Sequence, residues 1–371
     1  IADFLRKKVD PKLAGYIATA ICIIGGPVIL IAQNWNDHNR SEKYLARDMA
    51  RNYLESCAPN AILFTYGDND TYPLWYVQEV EGFRTDVRVV NLSLLSSDWY
   101  MKQMMQKVNN ADALPMNIDP EKIKDGVRDI IYYQDAGIPG YVNVKDLLTI
   151  MLSDDPQYQA QLQSGEMVNY LPTKKMFLPV DKQAVLANKV VPQDWNEAIT
   201  DSLVWTYNKN IVSRAELAMM AVIANNNWKR PVYFTITVPD DNYMGLDRYL
   251  VSEGFALRLM PVDMGIKEGG GRALIDPAAV YNNVLNKFKW GNIANASYID
   301  PDSYRYISLY VGSIYGDAIS RLEAQGKMAE AKNLALDAYK NMPKRVYGMP
   351  ETLSYWTVIE ALYKTCLLYT S

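Results

Sequence analysis

Residues Ala61–Leu95 read AILFTYGDNDTYPLWYVQEVEGFRTDVRVVNLSLL, and this stretch decides the fold class. Ile62 to Tyr66 is a short apolar and aromatic run with strand propensity, broken by the turn formers Gly67-Asp68-Asn69-Asp70. A helix is expected next, capped by Asp70 or Thr71, with Pro73 in its first turn and Gly82 at its end. Asp86 to Leu94 then alternates as a second strand. Strand, helix and strand make a Rossmann-like βαβ unit, so an α/β fold is expected. Ligands of such units bind beyond the carboxyl ends of the strands, the position held here by Gly67, Asp68, Asn69 and Asp70. Two readings of that turn stand side by side. Asp-x-Asp can hold a divalent cation through oxygen ligands, or the same residues serve only as caps and Asx-turns.

The segments upstream point to a membrane. Leu13 to Ala32, LAGYIATAICIIGGPVILIA, is long and apolar enough to span a bilayer, and its Gly25-Gly26-Pro27 is tolerated in a membrane helix. Arg6, Lys7, Lys8 and Lys12 precede it and Trp35 follows, which sets the N-terminal side in the cytoplasm and the bulk of the chain outside. Ser41 to Ser56 reads as an amphipathic helix capped by Ser41, with Leu45, Met49 and Tyr53 on one face.

Downstream, Ser97 or Asp98 caps a helix, Ile130 to Tyr133 is a strand, and Asn143 caps a helix over Val144 to Leu152. Ser153 to Gly165 reads as a loop, and Met176 to Val180 and Val204 to Tyr207 as strands. Ser213 caps a helix that ends at Asn225-Asn226-Asn227, before a strand from Val232 to Val238. Leu246 to Glu253 is expected as a helix and Leu257 to Pro261 as a strand. Arg230 is a partner for an anion or for Asp68 and Asp70, or else a structural ion-pair member. The loop Gly265 to Arg272 lacks phosphate-loop spacing and reads as flexible. From Asp302 to Met342 two helices meet at Gly326-Lys327 in a tetratricopeptide-like hairpin, and Glu351 to Leu362 is the next helix.

Composition narrows the function. A net charge of -4 gives no electrostatic reason to expect nucleic acid. Three cysteines and one histidine, His38, form neither a disulfide framework nor a zinc or triad pattern, so no cofactor beyond a divalent cation at Asp68 and Asp70 is suggested. With 27 Tyr and 8 Trp against 7 Phe, amphipathic rings are abundant, as half-wet surfaces and sugar-stacking sites use them.

Several strings resemble a family of large multi-pass membrane proteins from Bacteroidetes-type bacteria whose membrane part looks like the eukaryotic protein O-mannosyltransferases, a GT-C-like architecture. They are Asn34-Trp35, Asp37-His38, Arg40-Ser41, Gly67-Asp68-Asn69-Asp70-Thr71, Pro73-Leu74-Trp75, Glu79 to Gly82 and Arg84 to Asn91. Asp98-Trp99-Tyr100, Asn227-Trp228-Lys229-Arg230-Pro231-Val232-Tyr233-Phe234 and Gly245 to Gly254 extend the match. Tyr66 stands where the family pattern has Asn. The resemblance implies that glycosyl transfer from a lipid-linked sugar belongs to a membrane part outside this sequence. This chain is then the last membrane helix and the extracytoplasmic tail, no catalytic residue carries over, and a protein or glycan acceptor is the implied partner besides the bilayer. Candidate binding residues are Asp68, Asn69, Asp70, Trp75, Asp98, Trp99, Trp228 and Arg230.

The expected organisation is a cytoplasmic flank (1–12), a transmembrane helix (13–33), a connecting helix (34–60), an α/β extracytoplasmic domain (61–265), a linker (266–301) and a helical region (302–365). Residues 366–371 resemble translated adapter read-through.

Overall fold

A computed structural model describes residues 4, 7–39, 41–161, 165–263, 274–296, 298–300, 303, 314–342 and 355–364. In chain order, α1 is the helix Pro11–His38, α2 is Leu45–Ser56, β1 is Ile62–Thr65, α3 is Asp68–Glu79, β2 is Arg88–Asn91 and α4 is Asp98–Met104. A β-rich stretch follows: β3 (Ile130–Tyr133), β4 (Val142–Asn143), α5 (Val144–Met151), β5 (Gln159–Gln161), β6 (Met167–Leu171), β7 (Lys175–Pro179), α6 (Lys182–Ala187), β8 (Ser202–Thr206) and β9 (Ile211–Ser213). Then come α7 (Arg214–Asn226), β10 (Val232–Thr235), β11 (Leu250–Ser252), β12 (Ala256–Leu259), β13 (Leu274–Ile275) and α8 (Pro277–Asn286). The helices α9 (Asp317–Ala324), α10 (Met328–Asn341) and α11 (Tyr355–Lys364) follow.

The main sheet has the order β13-β11-β12-β10-β1-β2, with β1 parallel to both β10 and β2. Side chains alternate across it. Ile62 and Phe64 join one core with Val90, Phe234 and α7, while Ala61 and Leu63 join a second with Tyr233, Leu74, Val77, α2 and α8 to α11. Both faces are covered, which is why β1, β2 and β10 are buried at every residue instead of alternating with solvent. Truncating Leu63 or Phe64 to Ala would cost about 2–5 kcal/mol. Two smaller sheets, β5-β6-β3-β9 and β4-β7-β8, form the stretch between α4 and α7.

Local chemistry fixes the site-bearing turn. Gly67 has φ 77° and ψ 178°, a backbone region that a side chain would strain, and it turns the chain from β1 into α3. The Thr71 hydroxyl donates to the Gly67 carbonyl at 2.7 Å and accepts from Asn91 Nδ2 at 2.9 Å, so turn and β2 are tied together. On the other side of α3, Arg84 donates to the carbonyls of Leu54 (2.7 Å), Cys57 (3.0 Å) and Ala58 (3.1 Å), fastening α2 to the start of β2. Downstream, Ser213 and Glu216 form a capping box on α7.

Several expectations need correction. The helix expected from Ser41 starts at Leu45, and the Ser41 hydroxyl donates to the Asn39 side chain instead of capping it. Between the apolar helix and β1, α2 packs inside the second core with buried Met49, Tyr53 and Leu54. α3 starts at Asp68, not at Thr71, so Pro73 lies one turn in and leaves the Asn69 carbonyl without its helical N–H partner. Leu246 to Glu253 is not a helix: a 3-10 turn at Asp247–Tyr249 leads into β11, because pairing with β12 outweighs the local helical pattern. Ser153 to Gly165 contains β5, held by β6. The linker expected over 266–301 holds β13 and α8, with the Asp276 carboxylate accepting from Ala278 and Ala279 backbone N–H groups at 3.0 Å and Pro277 at the first helical position. α9 and α10 do meet at Gly326, which has φ 73°. Arg6, Arg40, Gly265 to Arg272, Tyr304, Tyr310, Glu351 and residues 366–371 lie outside the described residues.

Among the described residues, one helix, α1, is long and apolar enough to cross a membrane. Gly25-Gly26-Pro27 sits in a π-helical turn, Ile24–Val28, and large side chains such as Tyr16, Leu30, Ile31 and Trp35 are exposed along the helix.

Candidate functional site

A cavity of about 460 Å³ lies between α2, the first turn of α3 and the chain around 291–303. It sits at the carboxyl ends of β1 and β10, where open α/β sheets bind their ligands. One wall is apolar, built from Leu45, Ala46, Met49 and Ala50 of α2 facing Ile293 and Ile299. The polar end carries Asp68, Asn69 and Asp70, with Asp300 and Lys43 completing it.

The two aspartates of the turn have different surroundings. Asp70 is buried, and its carboxylate accepts from the Thr235 hydroxyl at 3.2 Å and from the Thr237 hydroxyl, with the Tyr53 hydroxyl and the Tyr66 backbone N–H as further donors. Burial raises its pKa above the usual carboxylate range, against the pull of those hydrogen bonds. Asp68 is exposed, and its charge and its hydrogen bond raise the Tyr72 phenol pKa above its ordinary value. The Tyr72 ring stacks on Trp75 at 5.5 Å, and Trp75 in turn packs against both cores. Asp300 accepts from the Ser303 N–H at 2.9 Å and from its hydroxyl at 3.0 Å.

The remaining expected residues go elsewhere. Arg230 precedes β10, so it lies at the amino end of the strands, away from Asp68 and Asp70. Its guanidinium donates to the carbonyls of Asn60 (2.9 Å), Asp112 (3.1 Å), Ala113 (3.1 Å) and Ala61 (3.4 Å). Burial lowers its pKa to about 10, the nearby Asp112 raises it and Arg88 lowers it further. Arg230 is therefore a structural clamp, not an anion site or a partner of the turn. Trp228 is buried next to it at φ 59°. Asp98 is held below the usual carboxylate range by its ion pair with Lys102 at 3.1 Å, and the exposed Trp99 packs edge-on against Tyr100. None of Trp228, Arg230, Asp98 and Trp99 lines the cavity. Among the described residues, no group of three or more His, Cys, Asp or Glu side chains could hold a metal ion.

Sequence reasoning missed Tyr53, Thr235, Thr237, Asp300 and the 290s wall. Thr235 and Thr237 did carry a signal: they are polar at strand spacing in the apolar run Val232 to Val238. Two lining residues also reach the end of α1. Lys43 Nζ donates to the Asn36 carbonyl at 2.7 Å and stands over the Tyr298 ring, whose hydroxyl donates to Asp37.

The model of the TMEM260-associated domain 2 family matches residues 46–277, from the first turn of α2 to the start of α8. The chain belongs to this family. No curated protein and no solved structure matches the chain. The TMEM260-associated domain 2 match takes in the whole six-stranded sheet and the acidic turn, whereas the wall around 291–303 falls outside it.

Proposed function

We propose that this chain is the extracytoplasmic, acceptor-binding region of a membrane glycosyltransferase-like protein, anchored by α1 and holding its ligand in the cavity beside Asp68, Asn69 and Asp70. The observation that carries this reading is the cavity itself, a ligand-sized space at the carboxyl ends of parallel strands. The exposed apolar surface of α1 suits lipid, and Lys7, Lys8 and Lys12 on its amino-terminal side favour a periplasmic location for the sheet domain at a bacterial inner membrane. In this reading the βαβ unit β1-α3-β2 serves as a Rossmann-like ligand cradle. The helices α9 to α11 form a tetratricopeptide-like surface for a protein partner. Transfer from a lipid-linked sugar is carried out by a membrane part resembling the protein O-mannosyltransferases of the Bacteroidetes-type family.

The test is steady-state transfer by the intact protein carrying Ala46→Trp, which fills the cavity from an exposed helical position. The acceptor KM should rise about tenfold with kcat little changed, the pattern of lost ground-state binding. An unchanged acceptor KM removes the acceptor role. A second reading draws on the raised pKa of Asp70 and makes the Gly67 to Thr71 turn itself catalytic, with or without a divalent cation. Asp68→Asn combined with Asp70→Asn separates the two: full activity in a folded protein eliminates the catalytic version.

A further inference from the structure

We infer that the cavity takes an amphiphile, with one aliphatic chain along its apolar wall and an uncharged, hydroxyl-rich headgroup at its polar end. This deepens the acceptor reading and rests on α1 being a membrane anchor. The wall is the first argument. Leu45, Ala46, Met49, Ala50, Ile293 and Ile299 give the space a largely apolar side, so a hydrocarbon segment is the ligand part that gains most from it.

Charge is the second. Four charged side chains line the space, the carboxylates of Asp68, Asp70 and Asp300 and the Lys43 ammonium, and Asp70 and Asp300 accept from threonine, tyrosine and serine hydroxyls. The carboxylates outnumber the ammonium, so a phosphate headgroup is repelled, and a hydroxyl is the uncharged donor these carboxylates already accept from. Hydroxyls do find partners. The Asp68 carboxylate accepts, the Asn69 amide both donates and accepts, and Lys43 has donors beyond the one spent on Asn36.

Location is the third. Lys43 and Tyr298 line the cavity and are bonded to Asn36 and Asp37 in the last turn of α1, so the space adjoins the end of the apolar helix. A lipid at the bilayer surface reaches it without crossing bulk water. A hydroxyl-rich lipid, of the glycolipid kind, is the occupant that meets all three conditions.

The experiment places the full chain in phosphatidylcholine nanodiscs doped with a diazirine-bearing monoglucosyl lipid, and maps the photo-crosslinks by mass spectrometry. Crosslinks are expected on the peptides holding Met49 and Ile293 as well as on α1. Ala46→Trp, and separately Asp68→Ala at an exposed position, should cut the cavity crosslinks about tenfold and leave those on α1 intact. Crosslinks confined to α1 overturn the amphiphile site while leaving the anchor standing. Absence of crosslinks on α1 removes the anchor and the inference with it. Equal labelling of the cavity by diazirine analogues of phosphatidic acid or of a long-chain amine overturns the headgroup assignment. Equal labelling by a soluble diazirine glucoside without a chain overturns the role of the apolar wall.

Discussion

The two ends of one set of parallel strands use charge in opposite ways. At the amino ends of β1, β2 and β10, Arg230 and Arg88 are buried, Arg230 spends its donors on four backbone carbonyls, and the void that it lines is only about 10 Å³. At the carboxyl ends, Asp68 and Asp70 border about 460 Å³ of space. Both ends carry the sequence marks of a functional site, a charged residue at a strand boundary. What separates Arg230 from the exposed Asp68 is how far the fold has taken up the hydrogen-bonding capacity of the charged group. A guanidinium surrounded by carbonyls has no capacity left for a ligand, whereas a carboxylate beside open space keeps it.

That contrast can be tested by taking each end apart. The largest effect is expected from Arg230→Leu, which takes the guanidinium donor from the Asn60, Asp112 and Ala113 carbonyls, while Ala61 keeps the Arg88 N–H, and should lower unfolding free energy by about 3 kcal/mol in urea titrations. A wild-type midpoint would mean that the amino end is not the clamp described. Thr237→Val removes a hydroxyl donor from Asp70 and should cost about 1 kcal/mol while raising the Asp70 pKa further, as followed by carboxyl NMR. A pKa that stays put or falls would contradict the network.

Next comes a pH effect. The Asp70 pKa is raised in the folded state, so the folded protein holds that proton more tightly than the unfolded chain. Stability from this group is fully present below the ordinary carboxylate pKa and is lost as pH rises through the raised folded value. Asp70→Asn should therefore gain on wild type as pH rises across that window, and a difference constant with pH would count against it. The smallest effect belongs to Glu81, whose carboxylate is held below its usual range by its bond to Arg47, with burial opposing and Arg51 adding to the pull. Its contribution is present above the ordinary Glu pKa and is lost as pH falls through the lowered value, so Glu81→Gln should differ slightly from wild type near neutral pH and merge with it in acid.

Much of the turn was legible because its determinants are local. Gly67 breaks an apolar run, Asp and Asn follow, and β2 comes next in sequence. The same holds for Ser213 with Glu216 and for Gly326. The sequence leaves Arg230 open between a ligand role and a structural one because its partners Asn60 and Asp112 are distant in sequence, and because only the parallel pairing of β1 with β10 tells which end of the sheet it occupies. Leu246 to Glu253 misled in another way: Leu250 and Val251 fit a helical pattern, but the neighbouring strand β12 captured them. Asp276-Pro277 did carry a readable helix-start signal, and the glycine run before it drew the reading toward a linker. The cavity could not be read at all, since its second wall, around Ile293 and Ile299, reaches the turn only through long-range packing.

That second wall is seated by one glycine. Gly291 has φ 57°, its N–H donates to Asp48, and a Cβ there would meet Leu45 Cα at 2.5 Å. The contact joins a segment beyond the family-matched residues to the first turn of α2 inside them. A protein trimmed to residues 46–277 would retain the strands and the acidic turn yet lack the wall at Ile293 and Ile299, so binding assays on that minimal unit would sample only one side of the cavity.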